Sequence, residues 1–93
     1  MKLRDLLEVV VAPKMDITVE NAGGFHHYVI DYTSDEPTHE LGRYTYGCTA
    51  RCIPEEVLDR EVTYINATKA GVLTLFVYNS ETIEQIMEQM AEG

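Results

Sequence analysis

The chain has no tryptophan, two phenylalanines, two cysteines and only seven basic residues among 93. Seven Lys and Arg against sixteen Asp and Glu leave a formal charge of −9. So few cations argue against direct nucleic-acid binding, which needs Lys and Arg to displace phosphate counterions. They argue equally against an anionic membrane surface. No segment approaches the ~18 apolar residues of a membrane span. The short run Leu6 to Ala12 is interrupted by Glu8, and Asp5 and Glu8 do not suit a signal peptide. The chain is therefore expected in the cytoplasm, where the acceptor-like triplet Asn66-Ala67-Thr68 carries no meaning. A serine-centred elbow, a phosphate-cradling glycine loop and a dinucleotide fingerprint are all missing; Gly23-Gly24 is too short to hold a phosphate. Catalysis is not expected, and neither is a cofactor.

What is present is patterned. Residues 1–93 make one domain by length. Leu3, Leu6, Leu7 and Val10 recur at helical spacing, and Pro13 ends that helix. Met15, Ile17 and Val19 alternate with Asp16, Thr18 and Glu20 as a strand with one wet face. Asn21 to Gly24 turns the chain into a second strand, Phe25 to Thr33. Ser34 to Gly42 reads as an acidic loop, and Arg43 to Cys52 as a third strand with a bulge at Gly47. Pro54 to Asp59 suits a short helix, with Pro54 in its first position and Glu55-Glu56 at the positive end of the dipole. Arg60 to Ala67 and Val72 to Tyr78 read as a hairpin. Asn79 or Ser80 caps a last helix whose inner face is Ile83, Ile86, Met87 and Met90. The expected fold is α+β: two layers, a mostly antiparallel sheet of about five strands, and the N- and C-terminal helices on one face.

Three groups of residues invite chemistry. Cys48 and Cys52 would share a strand face ~13 Å apart, beyond disulfide reach. With a histidine they form an alternative, a small metal-binding domain. But His26 and His27 point to opposite faces of a strand, and no i, i+4 histidine pair exists, so the metal expectation is none. Six tyrosines outnumber the phenylalanines. Tyrosine is enriched at protein interfaces because it buries area while its hydroxyl stays wet. The acidic residues gather between Asp31 and Glu40, Glu55 and Glu61, and Glu81 and Glu92. Carboxylates spread over a surface can imitate a phosphate backbone and occupy the nucleic-acid channel of a basic protein. Charge and aromatics concentrate around the long loop, so Asp31, Tyr32, Asp35, Glu36, Glu40 and Tyr44 are the expected partner-binding residues.

Three stretches carry a resemblance: Met1 to Val10 at the start, Ile53 to Val62 in the middle, and the closing hairpin through Gly71-Val72-Leu73-Thr74-Leu75. Together they resemble small proteins carried by phages and mobile elements of Gram-positive bacteria. The resemblance implies a host bacterial cytoplasm and an accessory role. Inhibitors of host defence, anti-CRISPR proteins among them, are of this kind, and such proteins bind a basic nuclease or its guide complex and block DNA entry. The expected function is a non-enzymatic inhibitor of a basic nucleic-acid-processing protein, such as a Cas effector. The alternative is an accessory protein that self-associates, as a homodimer or in a larger assembly, through a sheet edge.

Overall fold

The computed structural model describes residues 1–9, 12–22, 24–69 and 71–92; the side chains of residues 68, 69 and 92 are outside the description. Val10, which the helical spacing of the opening segment includes, lies outside the described residues, and so does Gly23 of the first turn. The elements run α1 (Leu3–Val9), β1 (Lys14–Asn21), β2 (Gly24–Asp31), β3 (His39–Leu41), β4 (Tyr44–Gly47), a 3₁₀ turn (Ala50–Cys52), α2 (Glu55–Leu58), β5 (Tyr64–Lys69), β6 (Val72–Val77) and α3 (Ser80–Glu92). The class is α+β, as expected. Among the described residues the sheet has six strands in the order β3-β4-β2-β1-β6-β5 and is mixed.

Tight turns give the antiparallel pairs. β1 meets β2 with Ile17 opposite Tyr28, β3 meets β4, and β5 meets β6. Gly42 at φ 60° and Gly71 at φ 81° supply the left-handed backbone that the last two turns need. The two parallel pairs, β1 with β6 and β2 with β4, correct the antiparallel expectation. Both follow connections long enough to cross: residues 32–43 return to lay β4 beside β2, and α2 with β5 intervene before β6.

Alternation sorts the side chains. Met15, Ile17, Val19, Tyr28, Ile30, Leu75 and Val77 project from one face and are buried. Leu3 and Leu6 of α1 and Ile53 and Val57 of α2 complete that core. Arg4 ties the two helices together, its Nη2 lying 2.5 Å from Glu55 and 3.0 Å from Asp59. Both carboxylates raise the pKa of the Arg4 guanidinium through their hydrogen bonds. The chain's first residues are strapped to the segment before β5, with Leu3 N–H donating to the Arg60 carbonyl and Val62 N–H to that of Met1.

The second expectation to be corrected is the shared helical face. The apolar side of α3 (Ile83, Ile86, Met87 and Met90) looks toward Tyr64, Phe76 and Tyr78. Phe76 pairs with Thr18 and Tyr64 with Phe76, which puts them on the sheet face opposite the core. The third strand is shorter than expected: it ends at Gly47, in register with Ile30 and without a bulge. The bulge lies instead in β5, between Asn66 and Lys69. Among the described residues no helix is long and apolar enough to cross a membrane.

Candidate functional site: an open aromatic sheet face

The face away from α1 and α2 carries most of the ring contacts. His27 on β2 lies opposite Tyr44 on β4, and their rings stack at 4.5 Å and 13°. Tyr44 stacks with Tyr46 two residues on, at 6.0 Å. Tyr46 lies opposite His39 on β3, stacked at 5.0 Å. Four rings from three neighbouring strands thus form one row, His27–Tyr44–Tyr46–His39. Thr18 Oγ1 and His27 Nδ1 share a hydrogen bond of 3.1 Å, and His39 Nδ1–H donates to the Pro37 carbonyl at 3.1 Å. Both ends of the row are therefore fixed. At the other end of the same face, Phe25, Tyr78, Phe76 and Tyr64 follow one another at 5.3–5.6 Å.

The acidic residues border the first row unevenly. Asp31 ends β2 on this face, where Lys14 is its partner across the strands. Its Oδ1 accepts the Thr33 hydroxyl and, at 2.9 Å, the Thr33 N–H. Those two bonds, hydroxyl first, lower the Asp31 pKa. Asp35 and Glu36 are exposed in the loop. Glu36 joins Lys14, Asp31, Ser34, His39 and Tyr46 around a shallow hollow of about 230 Å³. Asp16, in the middle of the face, has a buried Oδ1 that no hydrogen-bond donor among the described residues reaches.

The structure divides the expected set. Asp31, Glu36 and Tyr44 belong to the open face. Glu40 pairs with Thr45, and Thr45 with the core residue Tyr28, so Glu40 projects on the opposite side. Tyr32 follows Tyr28 and Ile30 in alternation; its phenol pKa is raised by burial and then by Cys52, as is that of Tyr28. The expected partner-binding set left out His27, His39 and Tyr46, the other three members of the row. Tyr44-x-Tyr46 and the positions of two histidines on flanking strands held the signal, but only the strand register shows that they touch.

Cys48 and Cys52 correct another expectation. Neither is on a strand: Cys52 is the last residue of the 3₁₀ turn, and Cys48 precedes its cap Thr49, whose Oγ1 accepts the Arg51 N–H. Both are free thiols. Burial pushes the Cys52 thiol up, and its Sγ would sit 3.0 Å from a Cβ placed on Gly47. A thiol raised by burial is a packing group rather than a nucleophile. Among the described residues, no three His, Cys, Asp or Glu gather as a metal-holding group. The chain matches no family model, and it matches no curated protein and no solved structure.

Proposed function

We propose that this chain works without catalysis, by holding a basic nucleic-acid-processing protein against its open sheet face. It is read as a phage-type inhibitor of the anti-CRISPR kind, with a Cas effector as the target that the resemblance implies. One observation carries the reading. A fixed row of four stacked rings lies on a sheet face that α1 and α2 leave uncovered, bordered by Asp31 and Glu36, with Asp35 exposed in the same loop as Glu36. None of these three carboxylates enters an ion pair among the described residues. Stacked rings are anchors already ordered before binding, so little rotamer entropy is lost on contact. Exposed carboxylates steer a cationic partner and compete with phosphates for its Lys and Arg. Inhibition then needs only occlusion of a nucleic-acid channel.

The test is inhibition of purified Cas nucleases, measured as residual DNA cleavage in 50 and 300 mM salt. Binding should weaken at the higher salt. Tyr44→Ala and the pair Asp35→Lys, Glu36→Lys should each weaken inhibition about tenfold or more, the ~1.4 kcal/mol or more of an interface anchor. Unchanged inhibition by both variants overturns the assignment to this face. No effect of the chain on any basic nuclease overturns the function.

A second reading, self-association, rests on the sheet edge. Among the described residues β5 is hydrogen-bonded on one side only, and Tyr64 and Ile65 are both at least half exposed. A strand edge of this kind can add a copy of itself. Light scattering that shows a dimer, dispersed by Ile65→Lys, would support it.

A further inference from the structure

Helix α3 is fastened at its start and loose along its length. Glu20 accepts the Asn79 N–H at 2.8 Å and the Thr82 hydroxyl at 2.6 Å. Arg60 Nη2 donates to Asn79 Oδ1 at 2.8 Å, which closes that end. Beyond this first turn, Ile83, Ile86, Met87 and Met90 face Thr63, Tyr64, Phe76 and Tyr78 across an open groove of about 400 Å³. Met87 is 64% and Met90 76% exposed. A stripe at i, i+3, i+4 and i+7 is the core-facing pattern of a helix, and here it has no core to face.

The charge on the helix says what covers it. Glu84 and Glu88 flank one edge of the stripe, one helical turn apart, and Ser80–Glu92 contains no basic residue. Like charges at that spacing destabilise a helix, and thirteen residues is close to the length below which a helix in water is marginal. Neither Glu84 nor Glu88 enters an ion pair among the described residues. A second copy of this chain would bring the same carboxylates face to face and add to a charge of −9. An occupant with an apolar stripe and a basic flank relieves the repulsion and fills the groove together.

We propose that the groove between α3 and strands β5 and β6 is a docking site for a basic amphipathic helix of a partner protein. Two or three apolar side chains of that helix enter between Phe76 and the two methionines, and its Lys or Arg reach Glu84 and Glu88. Methionine suits the role because its unbranched, polarisable side chain adapts to irregular partners. The site is separate from the row His27–Tyr44–Tyr46–His39 and does not depend on the function assigned to that row.

The chain has no tryptophan, so a short Leu/Lys peptide of amphipathic helical pattern, carrying one Trp on its apolar side, reports binding by its own fluorescence. Two control peptides are needed: the same pattern with Glu for Lys, and a scrambled Leu/Lys peptide. The patterned basic peptide should bind at roughly micromolar Kd, with each control at least tenfold weaker. The methyl carbon signals of Met87 and Met90 should shift while that of the core residue Met15 stays. The pair Glu84→Lys, Glu88→Lys and the pair Met87→Asp, Met90→Asp should each cost about tenfold. Absent binding, equal binding of either control, or methyl shifts confined to other residues overturns the proposal. So does a dimer of the free chain that the methionine substitutions disperse, because a second copy then fills the groove.

Discussion

Ile17 sits at the middle of β1 and is fully buried, with Tyr28 beside it on β2 and Leu75 on β6. Its truncation leaves a hole that neighbours on two hydrogen-bonded strands cannot close. Ile17→Ala should therefore cost about 2–5 kcal/mol, a large part of the ~5–15 kcal/mol that a domain holds in total. Met90→Ala, on the loose helix, should stay within about 0.5 kcal/mol. Urea unfolding followed by far-UV circular dichroism measures both. Equal costs would mean that α3 packs firmly on the sheet. At this scale the sequence was informative about burial. Met15, Ile17 and Val19 alternate with polar residues, so their shared face follows from period two alone. It was uninformative about contacts between distant residues. His27 and Tyr44 stack because β2 and β4 run side by side, and nothing local to either residue states that pairing.

Among the elements, α3 depends most on one side chain from elsewhere. Glu20 holds its first turn, and the Thr82 hydroxyl and then the Asn79 N–H lower the Glu20 pKa below 4.5. A carboxylate whose pKa falls on folding contributes stability that is complete above its unfolded value and is lost as pH drops through the folded one. The anchoring of α3 should thus be intact at neutral pH and fade below about pH 4.5. Glu20→Gln keeps an oxygen acceptor but no titrating charge. It should be less stable than the parent at pH 7, and the gap should narrow on acidification to pH 3.5. Thermal unfolding at both pH values measures the difference. A gap that is constant with pH would show that the Glu20 charge does not hold the helix. Elements were legible where periodicity was long. α3 and β1 were placed within a residue or two, while β3 was hidden because His39, Glu40 and Leu41 are all exposed and spell no alternation. The parallel pairings were hidden too: they depend on where long connections lead rather than on what the strands contain.

The whole molecule carries a charge of −9 with three ion pairs among its described residues, all of them exposed. Exposed pairs contribute little each. Dispersed repulsion among sixteen carboxylates therefore outweighs them, and it acts against the compact state. Salt shortens the reach of that repulsion from ~30 Å at 0.01 M to under ~10 Å above 0.1 M. Stability should accordingly rise with salt, by roughly a few degrees in Tm between 10 and 300 mM sodium chloride. Affinity for a cationic partner should move the other way over the same range, since the same screening removes the attraction. The two responses together separate a charge kept for binding from a charge kept for solubility alone. A chain that grows more stable with salt while losing its partner bears a repulsive surface that the partner neutralises. A Tm that falls with salt would place the balance in the local pairs of Arg4 with Glu55 and Asp59, and would remove the physical basis for reading the acidity as a binding surface.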